Sequence, residues 1–372
     1  MIKKFNVKKT KQLKIINLLL KNIYKKPTVK TEKKISDYEE IVIVDFSLIG
    51  DNIMSIPFLR QIKSNCPRAK ITMIARPQAE SVLGREELVD EFVIFDGKEC
   101  LSTPFRILKN YSLIRSTIKK VNRKKYDIAI EPKGDLRHIW FMHFIKSDRS
   151  ISYNYTGGDY LVTDAFKPRR ETKHLIDEKI DLLEMAGFSV NRDAVEPRFI
   201  HQNEKCKKEK LTVGIHPGAS CKNKIYKHYN QIFYYLSKYR ENLRIHVFHD
   251  PSEDNDLIDG VVESMKTNNI DYSIMEEKLE EYIENVSKCD LMICNDSSAG
   301  HIAAAYGIPV LVIFGAVKPE TARPRGSKVI CVTHDCTCKP CTLEDCPKGT
   351  YECLENIDIN DIYSALEEII GN

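Results

Sequence analysis

The stretch Cys294-Asn295-Asp296-Ser297-Ser298-Ala299-Gly300-His301 follows the apolar run Asp290-Leu291-Met292-Ile293 and precedes Ile302-Ala303-Ala304-Ala305-Tyr306. It reads as strand, polar turn and helix. An aspartate, two serines and a glycine at the carboxyl end of a strand bring a carboxylate, hydroxyls and helix-start amides into one crevice. Open α/β sheets bind ligands there, and a helix N-terminus can hold a phosphate. Read more plainly, Asp296 or Ser297 caps a helix. After the helix, Gly307-Ile308-Pro309 turns the chain into another buried strand, Val310 to Phe314.

Outward from this stretch, β and helical patterns alternate twice. The first half opens with Ile41-Val42-Ile43-Val44-Asp45, the continuous apolar run of a strand buried on both faces. A turn at Ser47 to Gly50 follows, then a helix to about Asn65 and strands at Ile71–Ala75, Phe92–Phe95 and Tyr126–Ile130, the last after a basic helix near 104–124. His174 to Gly187 reads as a helix with a glycine stop. The charged stretch Gln202 to Lys210 reads as a linker, after which the pattern restarts at Leu211–Ile215. A helix near 228–240, a strand at Arg244–Phe248, helices near 255–266 and 278–288 around a short strand at Tyr272, and a terminal helix at 360–370 complete it. Repeated βα alternation with a restart predicts two doubly wound parallel sheets, facing a central cleft.

At 372 residues, 42% apolar and 30% charged, the chain suits two soluble domains of ordinary size. No stretch approaches the ~20 apolar residues of a membrane span. Residues 1–34 hold twelve lysines and one acid, Glu32, so the remainder of a chain of net charge +4 is acidic. Leu13, Ile16, Leu20 and Ile23 share one helical face there, with Lys14, Asn17, Lys21 and Lys25 opposite. Such a basic amphipathic helix suits an anionic membrane surface; a solvated tail and a nucleic-acid arm are the alternatives. The early apolar cluster at 15–20 is short and has no small-residue cleavage site, so it is not read as an export signal. A reducing cytoplasm then makes disulfides unexpected among the twelve cysteines. Six crowd into 331–353, where Cys338-Lys339-Pro340-Cys341 forms a C-x-x-C knuckle with Cys346 and Cys353 beyond it. Their spacing does not repeat the paired pattern of a zinc site, so they read as loop thiols, unliganded or pairwise oxidised, with a metal as the alternative.

Three loops carry chemistry. In Ser47-Leu48-Ile49-Gly50-Asp51-Asn52, Gly50 permits a tight turn, and Asp51 stands at a helix start as a general base or a cap. Asp45, at the end of the strand, is its nearest competitor. In His216-Pro217-Gly218-Ala219-Ser220-Cys221-Lys222-Asn223-Lys224, a hydroxyl, loop amides and two lysines suit a diphosphate, although neither G-x-x-x-x-G-K-[ST] nor G-x-G-x-x-G is present. His216, before a proline, reads as a packed loop residue. The Asp296 loop is the third, on the same sheet end as the second.

Together these segments resemble glycosyltransferase family 9, whose best-known members are the ADP-heptose:lipopolysaccharide heptosyltransferases. The resemblance rests on Ser47 to Asp51 with Pro57, Tyr126–Ile130 with Gly134 and Arg137, His216 to Ser220, Asn295 to Ala304, and Phe314-Gly315, all in order. It implies a GT-B fold of two Rossmann-like domains, with the acceptor on the N-terminal one and the donor on the C-terminal one. It places the family's general base on Asp51 and the donor's phosphate on Lys224, with Lys222 as the fallback and Ser220 also at the donor. Asp296 and the segment Ser297, Ser298, Ala299, Gly300 and His301 would hold the donor, and Glu253 the ribose. Ser47, Asn52, Lys133, Asp135 and Arg137 are expected at the acceptor. Where the family continues to Lys-x-Trp-Pro, this chain has Lys224-Ile225-Tyr226-Lys227, and its fourth-strand carboxylate is Glu131 rather than aspartate.

The resulting expectation is an N-terminal basic extension (1–35), an acceptor domain (36–201), a donor domain (202–356) with the cysteine loop, and a terminal helix (357–372). The implied reaction is an inverting transfer of heptose from ADP-heptose to a lipid-linked lipopolysaccharide core, with no metal and no cofactor. It would take place at the cytoplasmic face of the inner membrane. Another nucleotide sugar such as a UDP-hexosamine, a nucleotide-sugar epimerase, and a nucleic-acid-binding protein with a basic tail are the alternatives. The last is disfavoured by the acidic remainder and the lack of an aromatic-basic RNA signature.

Overall fold

The computed structural model describes residues 7–169, 174–201, 210–250, 255–326, 328–341 and 343–371. They form two compact units, one ending at Val195 and the other beginning at Glu196. Each is a six-stranded, wholly parallel sheet with helices on both faces.

The first unit's strands are β1 (Glu40–Asp45), β2 (Lys70–Ala75), β3 (Glu91–Ile94), β4 (Tyr126–Glu131), β5 (Ser147–Tyr153) and β6 (Asp164–Phe166), in the order β3-β2-β1-β4-β5-β6. Its helices are α1 (Val7–Lys21), α2 (Ile49–Ile53), α3 (Ile56–Asn65), α4 (Pro77–Leu83), α5 (Gly97–Cys100), α6 (Pro104–Lys109), α7 (Tyr111–Val121), α8 (Leu136–His143) and α9 (Leu175–Met185). The central strand β1 is buried along both faces, which is why its run is apolar without alternation. Val42, Val44 and Phe46 join one core with Leu101, Ile114, Leu136 and Ile139. Leu13 of α1 is part of that core, with Ile16 and Leu20 packed against it. The apolar face of the basic segment thus meets the protein's own interior, while Ile23 is 70% exposed. The expected single basic helix near 104–124 is two, broken at Asn110, whose amide group bonds back to the Arg106 carbonyl.

The second unit repeats the winding with β7 (Leu211–His216), β8 (Leu243–Phe248), β9 (Asp271–Met275), β10 (Leu291–Asn295), β11 (Val310–Phe314) and β12 (Val329–Thr333), in the order β12-β11-β10-β7-β8-β9. Its helices are α10 (Tyr229–Leu236), α11 (Asn255–Thr267), α12 (Leu279–Val286), α13 (Ser298–Ala305), α14 (Pro319–Ala322), α15 (Glu352–Glu355) and α16 (Ile359–Ile370). The Asp358 carboxylate caps α16, which buries Ile362, Leu366 and Ile369 in the same core as Val213, Ile215, Ile293 and Ile313. In both units the strand order reverses beside the first strand, between β1 and β4 and between β7 and β10. Those two reversals are the crevices where such sheets take ligands.

Cys331 lies on β12, and Cys353 joins the second core with Cys336 packed against it. Burial pushes the thiol of Cys331 up to about 12 and that of Cys353 up to about 11. Cys336 and Cys338 have sulfurs 3.4 Å apart and unbonded. Among the described residues no group of three or more His, Cys, Asp or Glu side chains is placed to hold a metal ion.

Candidate functional site

In the first unit, the loop after β1 and the loop after β4 meet at the reversal. Helix α2 begins at Ile49, so Asp51 lies in its first turn rather than at its cap, which is Leu48. Lys133, two residues past β4, places Nζ 2.7 Å from Asp51 Oδ2, with both side chains 24% exposed. Burial alone would lower the lysine's pKa, but Asp51 and Asp45 outweigh it and hold Lys133 well above the ordinary value. Gly134 follows at φ +70°, and a Cβ there would lie 2.8 Å from side-chain atoms of Tyr153 and Tyr155. Only glycine turns the chain there without strain.

Beneath this pair is a buried layer. Asp45 is 1% exposed; it accepts from the Ser47 hydroxyl and, at 3.3 Å, from Lys179 Nζ on α9. The same ammonium donates to the Asp51 carbonyl at 3.3 Å and to the Ser55 hydroxyl. Burial works against the charge on Asp45, but Lys179, Lys133 and the Ser47 hydroxyl hold its carboxyl below the usual range. Glu131, fully buried at the end of β4, accepts from the Gly134 amide at 2.6 Å and the Ser152 hydroxyl at 2.7 Å, and His138 Nδ1 lies 3.3 Å from its other oxygen. Asp135 caps α8 and pairs with the guanidinium of Arg137. Against the cost of burial, His138 and Arg137 hold the Asp135 carboxyl well below the usual range. Of the five side chains expected at the acceptor, Lys133 reaches Asp51, Ser47 faces Asp45, and Asp135 and Arg137 hold each other. Asn52 is fully buried, and its side-chain amide makes no hydrogen bond among the described residues.

In the second unit, Lys224 Nζ lies 2.7 Å from Asp296 Oδ2, joining the loops after β7 and β10. Lys224 ends a short 3-10 turn, Lys222–Lys224, whose middle residue Asn223 is buried and donates to the Leu343 carbonyl. Tyr226, which stands where the Lys-x-Trp-Pro pattern has tryptophan, is 2% exposed and fixed in the core. Asn295, the last residue of β10, accepts from the Tyr226 amide at 3.2 Å and donates to the Pro217 carbonyl at 2.5 Å. It thus clamps the segment that carries Lys224 at both ends. Ser220 and Lys222 are exposed on this loop. Ser297 precedes α13 without a side-chain cap, and Ala299, Gly300 and His301 are buried in the first turns. A Cβ on Gly300 would lie 3.1 Å from Cys294 Sγ and Pro324 Cγ, so glycine sets how closely the helix approaches the strand. His216 is buried against Tyr282 with ring centroids 5.9 Å apart, as a packed loop residue. Glu253 lies outside the described residues.

Two residues that brace these loops from α9 and the end of β10 escaped the sequence reading. Lys179 carries no local signal, because its partners Asp45 and Ser55 are more than a hundred positions away. Asn295 adjoins Asp296 in the quoted stretch, and an asparagine closing an apolar strand was the available clue.

The sequence model of glycosyltransferase family 9 (heptosyltransferase) matches residues 114–352. The lipooligosaccharide heptosyltransferase 2 of Campylobacter jejuni is 23% identical over 331 residues, covering 87% of this chain and 96% of that protein. Among solved structures, a family 9 glycosyltransferase from Veillonella parvula superposes with a TM-score of 0.73 at 19% identity, over 91% of this chain and 98% of its own. The E. coli ADP-heptose lps heptosyltransferase II gives 0.71 at 17% identity, over 89% and 98%.

Proposed function

From the premise that the chain belongs to glycosyltransferase family 9 and shares its GT-B fold, we propose that it transfers a heptose from ADP-heptose to a lipopolysaccharide core acceptor, inverting the anomeric carbon. The observation that carries this reading is the repeated acid–lysine pair, Asp51 with Lys133 and Asp296 with Lys224, each at the strand-order reversal of its own sheet.

In this mechanism Asp51 takes the proton of the acceptor hydroxyl as the oxygen attacks the anomeric carbon. The bond from that carbon to the diphosphate oxygen breaks, and ADP leaves with the electron pair. A single displacement of this kind inverts the centre. Lys133, held in its charged form by Asp51 and Asp45, orients the Asp51 carboxylate. Lys224 meets the charge that grows on the departing diphosphate, aided by the first amides of α13; such preorganised donors contribute roughly 10²–10³ in rate each. Asp296 holds the Lys224 ammonium at the loop until donor binds. The acceptor is lipid-linked, so the enzyme works at the cytoplasmic face of the inner membrane. No helix among the described residues is long and apolar enough to cross that membrane.

The test is calorimetric binding of the purified protein to ADP-heptose, ADP, UDP-hexosamines and CMP-sugars. Preference for ADP-heptose, weakened by Lys224→Ala, supports the reading. Preference for a uridine sugar overturns the heptosyl donor while keeping the transfer chemistry.

A further inference from the structure

On the first unit, α1 and the pair α6–α7 cover the same face of the sheet, since Leu13, Leu101 and Ile114 share one core with Val42 and Val44, with Ile107 packed against it. With their inner faces spent on that core, their outer sides still carry large apolar groups. Ile15, Leu18 and Leu19 of α1 are 63%, 66% and 63% exposed. Phe105 and Leu108 of α6 are each 75% exposed, and Tyr111 and Leu113 of α7 are 58% and 47% exposed. A soluble surface seldom gathers so many large apolar side chains without a partner.

The charge around them identifies that partner. Residues 7–31 hold eight lysines and no acid, and residues 101–123 hold six basic residues and no acid. Against a net charge of +4 for the chain, everything outside these two segments sums to −10. Lys14 and Lys21 beside the α1 patch, and Arg106, Lys109, Arg115, Lys119 and Lys120 on α6–α7, are exposed. Apolar tips carried on two segments that hold cations and no acid match the boundary between anionic lipid headgroups and acyl chains, with the exposed Asp159 at the border of α1 between the two residues that bond Asn17. A protein partner of ordinary composition would not call for two segments without a single acid.

We propose that the outer sides of α1 and of α6–α7 together form a docking surface for anionic phospholipid, with Leu18, Leu19, Phe105 and Leu108 entering the headgroup layer. The surface deepens the lipid-linked-acceptor reading by naming the element that would meet the bilayer, and it moves the contact from the inward face of α1 to its outward one. Two elements are stronger than either alone, because the second binds at the raised local concentration set by the first.

The test is sedimentation of the full chain with vesicles of phosphatidylcholine alone and of phosphatidylcholine mixed with phosphatidylglycerol, at low and high salt. Binding is expected only to the anionic vesicles and should fall as salt rises. Leu18→Asp with Leu19→Asp, and separately Phe105→Asp with Leu108→Asp, should each weaken it tenfold or more with melting temperatures unchanged. The milder Phe105→Gln with Leu108→Gln serves if the aspartates disturb the helix. Tyr234→Asp, at a side chain 67% exposed on the other unit, should leave binding intact. Failure of the wild-type chain to bind anionic vesicles, equal binding by the variants, or a concentration-dependent dimer abolished by the same changes would each overturn the proposal. Vesicle binding needs no sugar donor, so its loss with ADP-heptose binding intact, or the reverse, separates failure of this surface from failure of the proposed reaction.

Discussion

Lys133 Nζ lies 2.7 Å from Asp51 Oδ2, so the loops after the first and fourth strands are joined by an ion pair where the sheet reverses. An ammonium held against the carboxylate fixes the direction in which Asp51 can meet an acceptor hydroxyl. Asp51→Asn should lower kcat by roughly 10²–10⁴ while donor affinity stays near wild type, measured by turnover and calorimetry. Lys133→Met should leave measurable turnover but lower kcat with donor affinity near wild type, because Asp51 loses the group that orients it. An unchanged kcat would mean that the lysine serves another purpose.

The two lysines of the β7 loop should separate cleanly. Lys224 is tied to Asp296, whereas Lys222 is exposed. Lys224→Ala should weaken ADP-heptose binding and lower kcat/KM by about 10²-fold or more. Lys222→Ala should stay within a fewfold of wild type, and the reverse ranking would transfer the phosphate contact to Lys222.

Asn295→Ala removes a side chain that bonds both the Pro217 carbonyl and the Tyr226 amide inside the protein. Each group left buried without a partner costs about 1–3 kcal/mol. The denaturation midpoint should fall accordingly, and donor binding should fall with it, because the segment bearing Lys224 loses its clamp. Asn295→Asp keeps an acceptor for the Tyr226 amide but sets a second oxygen against the Pro217 carbonyl at a fully buried position, so it should also be destabilised.

Acid stability should register the pair of Asp45 and Lys179. The folded Asp45 carboxyl titrates below its ordinary value, so its contribution is complete above about pH 4. It is lost as pH falls through the folded value. Urea melts of wild type should therefore lose midpoint steeply on acidification. Asp45→Asn should start lower, by roughly 3–5 kcal/mol at neutral pH because Lys179 is left buried without its counter-charge, and should decline less steeply.

The strands that shape both reversals were legible because they are buried on both faces and read as unbroken apolar runs, as at Ile41–Val44 and Leu291–Cys294. The strands that escaped reading lie toward the edges. β5 begins with the half-exposed Ser147-Asp148-Arg149, β6 is three residues long, and β12 was absorbed into the cysteine-rich segment. The loops Ser47–Asn52, His216–Lys224 and Asp296–His301 were found from their glycines, lysines and acids, and the pairs Asp51–Lys133 and Asp296–Lys224 join residues already singled out. What the sequence withheld was the layer beneath them. Lys179 sits in Leu175–Met185 among acids, where a lysine reads as solvated, and only the folded chain turns it inward to Asp45.

Leu13 gives the basic leader a structural duty of its own. Through it, and through Asn17, which accepts from the Gly158 amide at 2.9 Å, the first helix roofs part of the domain interior. A chain shortened to begin near residue 35 would take Leu13 out of the core it shares with Leu136, Ile139 and Tyr160, and would strip the Tyr160 hydroxyl of the Asn17 carbonyl. The leader's electrical role and its sealing role cannot be severed by trimming, so an aggregated truncate would report an uncovered core rather than a lost membrane anchor.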